Sequence, residues 1–247
     1  MRRVWYAVYT ALIILIAAYV LFYASQTRET HHEAAFRTIE RDGICVMHDA
    51  RYLADASLLH RDALRRLPEG YVFVDYAYAI SNNSLPTFHR DVTSSMRVMR
   101  TRLPVYTLIL YLSSGPMLSV CPGSHRTYPF TWSRVVNIDG EPGTAFLFDC
   151  DVLHAGRVAC AHRHLVQYKI CHRADLETLA SLRGVRKHKG GGDCARRPLL
   201  RAASYFFSAP LTLASPLMIR KAEPSSLTGA IQAAIRPLIP LDFYNNA

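Results

Sequence analysis

GTAFLFDCDVLHAGRVACAHRHLVQYKICHR, Gly143 to Arg173, decides how this chain is read. It begins with an apolar run, TAFLF, and closes with HLVQYKIC, where β-branched and aromatic residues dominate. Runs of that length bounded by turn residues are strand signals. DVLH between them reads as a short strand ending on His154, and the loop after it leads to Arg163. The stretch is therefore predicted as strand, turn, short strand, loop, strand, with a histidine and an arginine that β-structure alone does not require.

Working outward, the same rhythm continues upstream. VYTLILYL (Val105 to Leu112), MLSVC (Met117 to Cys121) and RVVNI (Arg134 to Ile138) are separated by Ser113-Ser114-Gly115-Pro116, Pro122-Gly123-Ser124-His125 and Asp139-Gly140-Glu141-Pro142-Gly143. ICVM after Arg41-Asp42-Gly43 and YVFVDYAYAI (Tyr71 to Ile80) add further strands. Many short strands with Gly/Pro turns predict a sandwich or barrel. Ala54 to Leu67 has helical apolar spacing and ends at Pro68-Glu69-Gly70. Past Arg173, Ala174 to Leu182 and Leu227 to Ile235 read as helical, and Ser204 to Ile219 is apolar but broken by Pro210 and Pro216.

FHRDV, Phe88 to Val92, gives His154 a partner. On a strand, residues i and i+2 share a face, so His89 and Asp91 would point together. A third imidazole from another strand makes two neutral nitrogens and one carboxylate, a donor set that suits Fe(II) and leaves three positions open. A 2-keto acid fills two of them and O2 the third. HxD alone is weak, since His60-Arg61-Asp62 also matches. That copy lies in the predicted helix, where i and i+2 diverge. His31-His32-Glu33 is a further near-match in a polar stem. A fixed guanidinium can hold the distal carboxylate of 2-oxoglutarate in a bidentate clasp. Arg163 is the candidate, and Arg157, three residues after His154, is the alternative. His162 and His164 alternate away from Arg163 and are assigned to structure.

In order as well as in motifs, the chain resembles the phytanoyl-CoA dioxygenase-like branch of the Fe(II)/2-oxoglutarate-dependent oxygenases. The resemblance runs over 36–173: Arg41-Asp42-Gly43, the HxD of His89 and Asp91, Pro122-Gly123-Ser124-His125, Gly143-Thr144 leading to Phe148-Asp149, His154, and Arg163. It implies a double-stranded β-helix, a mainly β, jelly-roll or cupin-like barrel with flanking helices. It implies that His89, Asp91 and His154 bind Fe(II) and carry catalysis, and that Arg163 binds 2-oxoglutarate. The implied reaction consumes O2, admits ascorbate as a co-reductant, releases succinate and CO2, and hydroxylates a C–H bond. Asp at position 91 points to hydroxylation, because related halogenases lack that carboxylate. Gly156 stands where relatives often carry a hydroxyl. Tyr106, Thr107 or Tyr168 is the candidate replacement in the cosubstrate site, and His125 either lines the pocket or caps its turn.

The rest of the chain bears on location and partners. Half of the residues are hydrophobic, and Val4 to Ala24 carries no charge. That run is long enough to cross a bilayer, with Trp5, Tyr6, Tyr9, Tyr19 and Tyr23 mostly toward its ends. Phe22 and Tyr23 replace the small residues that signal-peptide cleavage needs. The expected organisation is a basic terminus (1–3), a transmembrane signal-anchor (4–24), a stem (25–35), the oxygenase domain (36–173) and a basic, apolar extension (174–247). Arg2 and Arg3 favour a cytoplasmic N-terminus and a lumenal or exterior domain. Asn82-Asn83-Ser84 is then a glycosylation sequon. Six cysteines without CxxC spacing argue against a zinc ribbon. The net charge of +10 is concentrated in Arg183 to Arg201, a match for an anionic membrane surface. Aromatic residues are missing from that cluster, which argues against nucleic acid. The expected substrate is a small molecule, a lipid-like molecule or a protein. Two rival readings are an inactive barrel acting as a membrane interaction protein and a prolyl-hydroxylase-like enzyme. The second usually places Lys where Arg163 stands.

Overall fold

The computed structural model describes residues 2–26, 30–31, 36, 38–83, 85–157, 162–191, 197–218 and 222–235. After helix α1 (Arg2–Gln26) the strands are β1 (Thr30–His31), β2 (Ile44–His48), β3 (Tyr71–Phe73), β4 (Tyr76–Ser81), β5 (Tyr106–Tyr111), β6 (Gly115–Val120), β7 (Val136–Gly140), β8 (Thr144–Asp149), β9 (His154–Gly156), β10 (His164–His172) and β11 (Val185–Gly190). They form two sheets. The larger runs β11-β4-β10-β5-β8-β2, with β3 also on β10, and the smaller runs β1-β7-β6-β9. Neighbours are antiparallel except β1 on β7 and β11 on β4. This is the mainly β, jelly-roll-like plan expected, with helices on the outside.

Alternation explains why the central strands are apolar throughout. On β5, Ile109 and Tyr111 enter the core between the sheets, while Leu108 and Leu110 join a second cluster. Phe146 and Phe148 of β8 face inward and Ala145 and Leu147 outward in the same way. The outward cluster is closed by Leu59 and Ala63 of a helix over Ala56–Leu64. Asp55 caps that helix by accepting from the backbone N–H of Ser57 and Leu58, which starts it later than the apolar spacing predicts. Each fully buried side chain such as Phe146 or Leu147 contributes about 1.5–3 kcal/mol of burial free energy.

Parts of the predicted C-terminal extension, whose apolar stretch could pack on the barrel or lie on the bilayer, pack against the sheets. Ala174 to Leu182 forms two 3-10 turns, Arg173–Asp175 and Ala180–Leu182, in place of a helix. The Asp175 carboxylate is taken by the backbone N–H of Arg102 and Leu103, at 2.8 and 3.1 Å, which holds the segment to the body. Part of the basic cluster is strand β11, the edge of the larger sheet, with Arg186 paired to Asp75. Charge on an edge strand discourages further strand pairing. Helices over Arg197–Phe206 and Ser208–Leu213 then cover the smaller sheet, where Tyr205 packs with Phe88, Val135 and Leu153.

Val4 to Ala24 lies within helix α1, with Trp5, Tyr6, Leu12 and Ile13 among its exposed side chains. The side chains described on it are those of residues 5–18 and 21. Among the described residues no helix is long and apolar enough to cross a membrane. The spanning helix predicted over 4–24 is corrected to that extent. Ser84 of the sequon, Cys160, Cys194 and the His32-Glu33 pair lie outside the described residues.

Candidate metal centre

His154 opens β9, and it pairs with His89 across an isolated antiparallel bridge. His89 N–H donates to His154 O at 2.9 Å, and His154 N–H donates to His89 O at 3.0 Å. Asp91 N–H donates to Cys150 O at 2.9 Å. The HxD segment thus keeps strand-like sidedness for three residues, and then turns as Ser94 N–H bonds back to Asp91 O. Two imidazoles and a carboxylate converge. Asp91 Oδ1 is 3.8 Å from His89 Nε2 and 3.7 Å from His154 Nε2. Among the described residues this is the group of His, Cys, Asp or Glu whose ligand atoms all lie within 4.8 Å of one another. His60 is elsewhere, stacked on Phe73 and edge-on to Tyr168.

The backbone sets both tautomers. His89 Nδ1 lies 2.7 Å from Thr87 O, and His154 Nδ1 lies 3.0 Å from Val152 O. A carbonyl can only accept, so each Nδ1 carries the proton and each Nε2 presents a lone pair to the centre. Burial, reinforced by the neighbouring His89, lowers His154 to about 4 against the opposing pull of Asp91. Burial would raise Asp91, but the Lys169 ammonium and then the two imidazoles outweigh it and hold the carboxyl well below the usual range. Near neutral pH the triad thus offers a neutral His154 imidazole and an ionised carboxylate, a donor set that fits one divalent ion.

Lys169, on β10, stands beside the triad with no motif to mark it. Leu165 and Cys171 of β10 face the inner core, so counting by twos from Leu165 places Gln167 and Lys169 inward too. Thr107, expected in the cosubstrate site, instead donates to Asp91 Oδ2 at 2.5 Å.

Arg163 is buried immediately before β10 and lines the same pocket as His89, Asp91 and His154. Its Nη2 donates to Tyr111 OH at 2.6 Å and Met117 O at 3.1 Å. Its Nε and Nη1 are buried with no hydrogen-bond partner. Orphaned buried donors on a guanidinium call for an anionic acceptor, which the carboxylate of a keto acid can supply on the edge that carries Nη1. Arg157, the alternative, spends its Nη1 on Asp139 Oδ1 at 2.7 Å. The hydroxyl beside Arg163 is that of Tyr111, which accepts from Nη2 and donates to Met117 O at 2.7 Å, and not that of Tyr106, Thr107 or Tyr168. Tyr106 stands on the opposite face of β5, against Tyr71, because residues 106 and 111 differ by an odd number of positions. Tyr168 faces outward onto His60 and Phe73. His125 points toward Gly43, with Nε2 3.2 Å from Glu40 O, and ties its turn to the segment before β2. Neither Tyr106, Tyr168 nor His125 lines the pocket.

The pocket wall beyond the triad includes Phe88, Val92, Leu153, Leu211 and Thr212. The last two come from the C-terminal helix over Ser208–Leu213. Arg90, inside HxD, fastens that helix. It donates to Thr212 Oγ1 at 2.7 Å, Asp151 O at 2.8 Å and Ser124 O at 3.2 Å. No local signal marks such a contact, which spans 122 positions of chain.

No family model matches the chain, and no curated protein matches it in sequence. Among solved structures it is similar to the non-heme alpha ketoglutarate dependent epimerase SnoN from nogalamycin biosynthesis, at 14% identity and a TM-score of 0.39, over 72% of this chain and 96% of that one. It is similar to EctD from S. alaskensis with bound Fe, at 18% identity and a TM-score of 0.34, over 69% and 87%. Similarity to EvdMO1 is 15% identity with a TM-score of 0.36, over 65% of this chain, which spans 44% of that protein. Likeness at this level carries no argument about chemistry, which rests on the residues above.

Proposed function

We propose that this chain is an Fe(II)- and 2-oxoglutarate-dependent oxygenase that hydroxylates a C–H bond of an uncharged, largely apolar substrate. One observation carries the reading: the His89–Asp91–His154 cluster and an arginine with two unpartnered buried donors line one pocket. Bound together, iron and 2-oxoglutarate would supply the oxidising chemistry, using O2 and yielding succinate and CO2. The protein's own part is binding and placement. The two Nε2 atoms and Asp91 Oδ1 would hold the metal. Arg163, braced by Tyr111, holds the far carboxylate of the keto acid. Phe88, Val92, Leu153 and Leu211 exclude water and favour an apolar group. The complete triad weighs against an inert barrel, and Arg at 163 weighs against the prolyl-hydroxylase-like alternative.

The test is anaerobic binding of Fe(II) and then 2-oxoglutarate to the full chain, followed by succinate release when O2 is admitted. Retained metal binding in a His89→Ala, His154→Ala double variant would overturn the assignment. Bilayer association through α1 is a separate proposal, supported by the exposed Trp5, Tyr6, Tyr9 and Ile13–Ile16. Release of the protein from membranes by alkaline carbonate without detergent would count against an integral anchor.

A further inference from the structure

The carboxylate that completes the metal centre is gripped from behind by an ammonium that the reaction itself does not call on. Lys169 is 1% exposed and sits at an inward position of β10. Its Nζ donates to Asp91 Oδ2 at 2.6 Å and to Thr107 Oγ1 at 2.7 Å. The Thr107 hydroxyl in turn donates to the same Oδ2 at 2.5 Å. The two carboxylate oxygens are therefore unlike. Oδ2 is taken by two donors, whereas Oδ1 faces the two imidazoles. Lys169 does not line the pocket, and its hydrogen-bonded link to the centre runs through Asp91 and Thr107.

Burying an ammonium costs several kcal/mol unless a counter-charge is close, and an apolar side chain of that length would fill the same space without this cost. Cys150 Sγ, 3.8 Å from Nζ, is no such counter-charge: burial pushes that thiol up to about 12. The ammonium faces a carboxylate whose other oxygen belongs to the metal centre. Charge counting gives this arrangement a use. Asp91 and Lys169 together are neutral, so a divalent ion leaves the centre at +2, which a dianionic keto acid matches. Without the ammonium the ion would be held by a bare carboxylate, and the dianion would enter a centre of only +1.

Resting on the function proposed above, we infer that Lys169, with Thr107, is a positioning residue. It confines Asp91 to one-oxygen ligation and trades metal affinity for affinity toward the dianionic cosubstrate. The two affinities should then move in opposite directions when the charge is removed, a response that a merely structural lesion does not give.

The test uses the full chain with Co(II) as the metal, followed by 2-oxoglutarate on the Co(II)-loaded protein, read by calorimetry and visible absorption. In Lys169→Met, Co(II) should bind about tenfold more tightly and 2-oxoglutarate about tenfold more weakly, from the change in local charge alone. Its Co(II) bands should weaken as the freed carboxylate chelates with both oxygens. Lys169→Gln keeps a donor and loses the charge, so it should share both affinity shifts while retaining the wild-type band shape. Affinities that fall together, or neither changing, would overturn the inference. If Lys169→Met does not fold, Lys169→Gln decides the charge and Thr107→Val the orientation, with an unchanged Co(II) spectrum in the latter counting against it. A wild-type chain that takes up no Co(II) at His89 and His154 would instead remove the functional reading beneath it.

Discussion

Gly156 and Arg163 are fitted to each other: a β-carbon at position 156 would lie 2.5 Å from Arg163 Nη1 and 3.0 Å from Nη2. Glycine at 156 leaves the space that this guanidinium occupies. Gly156 is buried on β9, and the nearest obstacle is the far end of a flexible side chain, with the backbone Leu85 O next at 3.1 Å, so a larger residue would first displace the arginine. Gly156→Ser should weaken 2-oxoglutarate binding about tenfold and leave Co(II) affinity within a factor of about two. Calorimetric titration of each ligand checks this.

Arg163 and Arg157 separate by the same measurement. Arg163→Lys keeps the charge but loses the fork and the brace to Tyr111, and should reduce 2-oxoglutarate affinity by about 10- to 100-fold. Arg157→Ala removes an exposed pair with Asp139 and should change it little. A loss of binding confined to Arg157→Ala would move the carboxylate site.

Arg201 ties the C-terminal helix to the segment that carries His89. It donates to Pro86 O at 3.2 Å, Gly156 O at 3.0 Å and Ser119 Oγ at 2.5 Å, and lies 4.6 Å over the Phe88 ring. Arg201→Met fills the volume but strips those acceptors of this donor. It should cost about 2–4 kcal/mol of stability by denaturant titration and weaken metal binding, because Phe88 and His89 lose their backing.

Asp149 gives the fold a distinctive pH dependence. Burial raises its carboxyl to about 7 from the ordinary 3.8, aided by Asp151, against the Asp151 N–H that it accepts at 2.7 Å. A raised carboxyl means that the unfolded chain gives up this proton at lower pH than the folded one. This group's contribution to stability therefore falls as pH rises from about 4 to about 7, and stays at its lower value above that. Asp149→Asn keeps an acceptor for Asp151 N–H. It should flatten that part of the profile and make the protein more stable than wild type at pH 8, by on the order of a few kcal/mol. Melting temperatures at pH 5 and pH 8 decide it.

The strands were legible because their signals are local. TAFLF, VYTLILYL and HLVQYKIC carry burial and β-propensity within a few residues, and the turns between them carry Gly and Pro. The HxD spacing and the distant His154 pointed to the triad for a similar reason, since i and i+2 share a side wherever backbone is extended. Parity along a strand carries further information: Lys169 falls on the inner side by counting from Leu165, and Tyr111 on the opposite side from Tyr106.

What the sequence determined by itself is periodicity, sidedness within each strand, and a short set of residues able to bind a metal. Only the tertiary structure decided which sides face each other. Asp91 and Lys169 are 78 residues apart, Arg90 and Thr212 are 122 apart, and no local pattern records either contact. The pairing of β10 with β4 and β5 turned Arg163 and Lys169 into the site, and the packing of the C-terminal helices made Leu211 and Thr212 its wall. Local signals report the backbone geometry of a few residues. A site is a convergence of side chains from several strands, and that becomes definite only when the sheets close on a common core.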